Sequence, residues 1–271
     1  MDFTGAKEVN TSTQPALDFE NVCLSFGGLK AIKNVSLRVG QRELVGLIGP
    51  NGAGKTTMFN LTTGVYAPDE GRICLKGAVI SGRAPHEINR LGIARTFQNI
   101  RLWGDLSVLD NVRTALLHTC GTPLWQVVLR TQRGARDEAR VRDQARELLA
   151  YFDLIRFEDE KASNLPYGEQ RRLEIARALA TEPALLLLDE PAAGMNTGEK
   201  VKLMDLIQKL QRERHLAVLL IEHDMKVVMG ICERIAVLDY GEKIAEGRPE
   251  EIQKNPRVIE AYLGTPSAAG G

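Results

Sequence analysis

Gly49-Pro50-Asn51-Gly52-Ala53-Gly54-Lys55-Thr56-Thr57 is the stretch whose reading decides the fold. The apolar run Glu43-Leu44-Val45-Gly46-Leu47-Ile48 before it reads as a fully buried strand, and Met58-Phe59-Asn60-Leu61 after it reads as a helix. Strand, glycine-rich loop and helix together are the setting of a phosphate-binding loop. Gly52 and Gly54 carry no Cβ, so the backbone can turn sharply and aim several N–H groups at polyphosphate oxygens. The positive end of the following helix dipole favours the same anion. Lys55 is spaced to reach the β- and γ-phosphates, and the Thr56 hydroxyl to ligate magnesium. A glycine-rich turn with an exposed lysine would need neither the strand nor the helix. The stretch therefore predicts nucleoside triphosphate binding.

Working outward, the 271 residues are 44% hydrophobic and 26% charged, which suits a globular chain with one substantial core. Lys+Arg 35 balances Asp+Glu 35, so the total charge carries no nucleic-acid footprint. Cys23, Cys74, Cys120 and Cys232 stand singly, without metal-ligand spacing or a disulfide framework, and read as thiols in a reducing compartment. The first residues hold no apolar core for a secretion signal, and no run approaches the roughly 20 apolar residues needed to span a bilayer. Action at a membrane would require docking onto other subunits.

Residues 1–14 and 265–271 read as frayed tails around one domain, 15–264. Leu17 to Val22 and Ile32 to Val39 alternate as half-buried strands around the turn Ser25-Phe26-Gly27-Gly28, and Gly71 to Gly77 adds another strand. Ser107-Val108-Leu109-Asp110 resembles a capping box. Ala135 to Phe152 is a charged amphipathic helix with Ala145, Leu148, Leu149 and Phe152 on one side and Glu138 spaced to pair with Arg142. A helical subdomain inserted from Ser107 to about Asp159, and counted to about residue 180 with the helix Glu169 to Ala180, is expected. The strands Ala184 to Leu188, Leu216 to Ile221 and Ile235 to Leu238 alternate with helices, including Glu199 to Gln211, which predicts a parallel sheet covered on both faces. The expected class is α/β: a P-loop NTPase core with a mixed sheet, an N-terminal antiparallel β subdomain and the helical insertion.

Leu185-Leu186-Leu187-Leu188-Asp189-Glu190 ends a buried strand with two carboxylates, at the edge where open α/β sheets bind ligands. A buried carboxylate is costly unless it meets a cation, so Asp189 is expected to face magnesium. Glu190 is then available to deprotonate the attacking water. Alone, two acids after an apolar strand are more often a cap or solvated loop; downstream of a phosphate loop the chemical role is favoured.

At these motifs the chain resembles the ATP-binding subunit of an ABC transporter, from about Leu17 to Leu263. Arg95-Thr96-Phe97-Gln98-Asn99 resembles the Q-loop, which implies that Gln98 contacts magnesium and the attacking water. Leu165-Pro166-Tyr167-Gly168-Glu169-Gln170-Arg171-Arg172 resembles the signature motif, so the resemblance places Tyr167, Gly168, Glu169 and Gln170 on a nucleotide. Ile221-Glu222-His223-Asp224 resembles the switch-histidine segment, and Phe26 stands where the family stacks an aromatic ring on adenine. Taken singly, Gln98 reads as a solvated amide, His223 as a structural histidine and Phe26 as a core residue. A helix starting near Gly168 offers an anion site that its own phosphate loop cannot fill, and in the family it closes on the nucleotide of a second ATPase subunit across a two-fold axis. Two departures stand out: Pro166-Tyr167-Gly168 replaces the usual Ser-Gly-Gly, and Asn196 stands where the D-loop normally ends in Asp.

Phe26-Gly27-Gly28-Leu29-Lys30-Ala31, Asp189 to Asn196, Asp239 to Gly247 and Asn255 to Gly264 resemble the ATPases of high-affinity branched-chain amino acid importers, LivG-type. Urea or amide importers and the lipopolysaccharide-export ATPase share much of the pattern. The resemblance implies ATP and Mg2+, ATP hydrolysis coupled to uptake, a sister ATPase of LivF type, two permease subunits, indirectly a solute-binding protein, no nucleic acid, and a peripheral place on the cytoplasmic face of the membrane. The apolar stretch Thr122 to Leu129, with Trp125, reads as packing or as a permease contact near Gln98. Soluble ABC ATPases and P-loop kinases are the rival classes, and the signature helix with a water-activating Glu190 argues against a kinase.

Overall fold

The computed structural model describes residues 14–117 and 132–263. Four strands build a small antiparallel sheet in the order β2-β1-β4-β5: β1 (Leu17–Phe26), β2 (Leu29–Val39), β4 (Glu70–Leu75) and β5 (Ala78–Val79). The two-residue turn Gly27-Gly28 joins β1 to β2, with Phe26 opposite Leu29 and Gly27 at φ 58. Turns of this length need left-handed backbone, which glycine supplies without steric cost.

The larger sheet runs β10-β9-β3-β8-β7-β6, namely β10 (Glu242–Gly247), β9 (Arg234–Asp239), β3 (Leu44–Ile48), β8 (Ala217–Ile221), β7 (Leu185–Asp189) and β6 (Ile93–Arg95). All pairings are parallel except β10 with β9. Every residue of β3, β7 and β8 is buried, as expected of central parallel strands covered on both faces. Their side chains alternate between two cores. Leu44 and Ile48, Leu186 and Leu188, Val218 and Leu220 enter the core shared with the helical lobe. Val45 and Leu47, Leu185 and Leu187, Leu219 and Ile221 enter the core shared with the antiparallel sheet. Because the period is two, a one-residue slip of any of these strands would exchange the cores wholesale.

Nine α-helices are described: α1 (Lys55–Thr62), α2 (Pro85–Arg90), α3 (Val108–Leu117), α4 (Gln132–Tyr151), α5 (Tyr167–Leu179), α6 (Thr197–Glu213), α7 (Met225–Ile231), α8 (Pro249–Gln253) and α9 (Pro256–Leu263). Helices α3 to α5 lie between β6 and β7. Val141, Ala145 and Leu149 of α4, with Phe152 just beyond it, form its buried stripe, and Leu148 packs at the edge. Glu138 meets Arg113 of α3 at 3.2 Å, a tertiary pair in place of the pairing with Arg142 read from spacing. Only half of the capping box at Ser107 forms: its hydroxyl accepts the Asp110 N–H, while the Asp110 carboxylate takes Arg113. Gln14 is already tied, its carbonyl accepting from Gln41 at 3.1 Å. Residues 1–13 and 264–271, Cys120 and the stretch Thr122 to Leu129 with Trp125 lie outside the described residues.

Candidate functional site

The parallel strands all end at one edge, and each delivers a motif there: β3 the loop at Gly49, β6 the segment to Gln98, β7 the Asp189-Glu190 pair, β8 the Glu222-His223 segment and β9 Tyr240. Gly49 has φ 150, and a Cβ on it would lie 2.1 Å from the Leu238 carbonyl, so the close passage of the loop over β9 admits glycine alone. Gly54 (φ 105) is the N-cap of α1, without any side-chain cap. The first N–H groups of α1 therefore have no partner inside the helix, and a bound anion is their natural acceptor.

A cleft of about 820 Å³ opens over this loop, walled by residues 51–57, Lys30, Lys33, Gln98 and Glu190, with Phe26 and Tyr240 at its mouth. Phe26 is 43% exposed and meets Tyr66 edge-on at 5.0 Å, so it is a surface ring beside the cleft and not a core residue. Lys55 is buried and donates to the carbonyls of Gly49 (2.7 Å) and Pro50 (2.9 Å). Burial holds its ammonium below the ordinary lysine range, and the carboxylates of Glu190 and Asp189 pull it back.

Glu190 is the point of convergence. Its backbone is left-handed at φ 47, pinned by its N–H to Ile221 O at 2.9 Å. Its Oε2 accepts Gln98 Nε2 at 2.9 Å and lies 3.5 Å from His223 Nδ1, while the imidazole remains largely exposed. Glu222, next to His223, accepts the N–H groups of Ala192 (2.8 Å), His223 (3.2 Å) and Asp224 (3.4 Å). Burial pushes its carboxyl up, and those N–H groups pull it back, so one buried acid ties the segment after Glu190 to the segment bearing His223.

Asp189, read from sequence as a magnesium ligand, accepts Arg95 Nη2 at 2.7 Å, and Arg95 also reaches Asn60 Oδ1 at 2.8 Å and stacks on Phe59 and Phe97. Among the described residues no group of three or more His, Cys, Asp or Glu could hold a metal. Of the residues read from sequence as magnesium ligands, Thr56 and Gln98 line the cleft, while Asp189 is engaged by Arg95. A hydroxyl, an amide oxygen and one carboxylate are hard oxygen donors of the kind magnesium takes, with waters and phosphate oxygens in its other positions.

Tyr167, Gly168, Glu169 and Gln170 stand apart from the cleft. Helix α5 starts at Tyr167, one residue before Gly168 and two before Glu169, with Pro166 as its N-cap, where the missing N–H is no loss. Tyr167 packs by Gly194, and Gly168 faces Glu199 of α6. Asn196 caps α6, its side chain accepting Glu199 N–H while Glu199 returns to Asn196 N–H. The sequence reading gave no role to Arg95, Arg171 or Glu174. The signal available was an arginine or glutamate inside an apolar stretch, residues that are almost never fully buried unless paired.

The family profile described as ABC transporter matches residues 32–193, and that described as branched-chain amino acid ATP-binding cassette transporter matches residues 242–268. The high-affinity branched-chain amino acid transport ATP-binding protein LivG of Salmonella typhimurium is 46% identical over 252 residues, 93% of this chain and 99% of its own. BraF of Pseudomonas aeruginosa, named for the same transport, is 44% identical over the same shares. Among solved structures, the ADP conformation of an ATP-binding cassette of an ABC transporter superposes with TM-score 0.81 at 32% identity, covering 93% of this chain and 100% of that one. A dimeric post-hydrolysis cassette bound to ADP and Pi gives TM-score 0.72 at 29% identity, covering 86% and 98%. With the glycine loop, the paired acids and the histidine gathered at one edge of its parallel strands, the chain belongs to the ABC transporter family, among the branched-chain amino acid ATP-binding proteins.

Proposed function

We propose that this chain hydrolyses ATP to drive uptake of branched-chain amino acids, as one ATPase of a pair seated on two permease subunits. The observation that carries the hydrolytic part is the meeting of Gln98 and His223 on the Glu190 carboxylate beside the phosphate loop. The match of residues 242–268 to the branched-chain profile supports the solute class.

The loop Gly49 to Thr57 and the N-terminus of α1 hold the triphosphate, with Lys55 exchanging its carbonyl partners for phosphate oxygens. Phe26 and Tyr240 offer aromatic faces to the base at the mouth of the cleft. Glu190 takes a proton from water as the water oxygen bonds to the γ-phosphorus and the bond to the β-bridging oxygen breaks. Gln98 orients that water, and His223 steadies the arrangement from the same carboxylate oxygen. Thr56, Asp189 and Gln98 are the residues to hold magnesium, which neutralises charge on the phosphate oxygens when bound. Tyr167 to Gln170, which do not line their own cleft, present the start of α5 to the nucleotide of a second ATPase subunit of LivF type. No described helix is long and apolar enough to cross a membrane; on this reading the chain sits peripherally on the permease, at the cytoplasmic face, with the solute-binding protein on the other side.

The test is direct. Glu190→Gln is expected to keep ATP affinity, lose about 10³-fold in kcat, and accumulate as an ATP-bound dimer in gel filtration. Disrupting the gene should abolish uptake of radiolabelled leucine, and unchanged leucine uptake with loss of another solute would reassign the transport.

A further inference from the structure

A buried pair of charges on α5 makes most of its contacts away from its own helix. Arg171 is 0% exposed and Glu174 2%. Arg171 Nη1 donates to Phe97 O (2.6 Å) and to Glu174 Oε2 (2.8 Å), and Nη2 donates to Gln98 O (2.8 Å) and to the Tyr167 hydroxyl (3.1 Å). Glu174 Oε1 accepts the N–H groups of Phe97 (3.3 Å) and Arg101 (3.1 Å). The pair thus grips both backbone groups of Phe97, and the carbonyl of Gln98, through two adjacent turns of one helix. Taking such a pair out of water is costly, and a leucine–methionine layer would pack the same space at no electrostatic cost. What the charges provide that apolar groups cannot is directed hydrogen bonding to a loop backbone.

That loop carries Gln98, whose amide nitrogen sits 2.9 Å from Glu190. We propose that Arg171 and Glu174 are positioning residues for Gln98: they fix the backbone on which its side chain swings, and so set whether its amide reaches Glu190. This rests on the reading that Gln98 serves hydrolysis. Arg171 is also bonded to Tyr167, at the start of α5, so a shift of that helix end is transmitted to the loop through the same guanidinium. An ångström of displacement would break the contact with Glu190, and misplacements of that size cost on the order of 10²-fold in rate.

The experiment uses the full-length chain and the double substitution Arg171→Met with Glu174→Met, which removes both charges and leaves none buried alone. The expected result is an ATP KM close to the parent's with kcat lower by about 10- to 100-fold, beside whatever drop in melting temperature follows from the unpaired backbone groups of Phe97, Gln98 and Arg101. In a Gln98→Ala background the same double substitution should change kcat little, because the group being positioned is gone. A lowered melting temperature with parental kcat, or an undiminished loss of kcat in the Gln98→Ala background, would overturn the proposal and leave a packing role. Gln98→Ala with parental kcat would instead remove Gln98 from hydrolysis and take the proposal down with that reading; a slow Gln98→Ala beside a fully active double variant sinks the positioning alone. If the double variant does not fold, Arg171→Lys serves in the same cycle, since it keeps a cation beside Glu174 but cannot bridge two successive carbonyls.

Discussion

Glu190 holds a backbone conformation that side chains resist. Left-handed φ costs a non-glycine residue roughly 1–2 kcal/mol, and here φ 47 is imposed by the N–H bond to Ile221 and by the turn that follows β7. Strain of this kind clusters at functional sites, and in the proposed role it aims the carboxylate into the cleft over the phosphate loop. A comparison of two inactive variants isolates it. Glu190→Gly should melt above Glu190→Ala by about 2–4 °C, the shift expected for ~1 kcal/mol in a domain of this size; equal melting temperatures would mean the turn stores no strain. The identity of Glu190 was readable from its place after four leucines. Its conformation was not, since nothing in one sequence reports a φ angle. Arg95 escaped for a similar reason: its neighbour Asp189 is 94 residues away, and only the β6–β7 pairing brings the two together.

At the scale of elements, α6 shows how one residue can serve a cap and a loop at once. Asn196 closes a reciprocal capping box with Glu199. Asn196→Ala should cost about 1 kcal/mol, seen as a melting temperature lower by about 2–4 °C. Asn196→Asp should restore or exceed the parent value, because a carboxylate at a helix N-terminus also meets the dipole. A second element, β3, is anchored at its start by Glu43, whose two oxygens accept Arg234 Nε and Nη2, each at 2.8 Å. Burial works to raise the Glu43 carboxyl, but the Arg234 hydrogen bonds, the Gly40 N–H and the guanidinium charge outweigh it and hold it below its ordinary 4.5. The folded value is depressed, so this contribution is present above 4.5 and is lost as pH falls through the folded value. Glu43→Gln should therefore melt a few degrees below the parent at pH 7, with the gap closing as pH falls below 4.5; a constant gap would dismiss the pair. The strands and long helices were legible from periodicity to within a few residues. Elements β5, β6, β10, α2, α7, α8 and α9 were not; of these β5, β6, α2 and α8 are too short to carry a period.

For the whole molecule, the decisive arrangement is a separation: the start of α5 and the phosphate loop belong to one chain but not to one cleft. Gly168 tests its purpose. A Cβ there would meet Glu199 Oε1 at 3.4 Å, an ordinary contact, and the helix gains from replacing glycine. Gly168→Ala should therefore fold with an unreduced melting temperature and bind ATP as before, yet prevent Glu190→Gln from accumulating as a dimer; a full dimer yield would free α5 from the interface. By itself the sequence determined the phosphate loop, the paired acids and the family, because each is written in contiguous residues whose chemistry needs no partner at long range. Only the tertiary structure decided that Arg95 holds Asp189, that Arg171 and Glu174 hold the loop of Gln98, and that His223 and Gln98 share one carboxylate oxygen. Those are meetings between strand ends and helix turns up to about a hundred residues apart, and the register of a parallel sheet, not local pattern, fixes which of them touch.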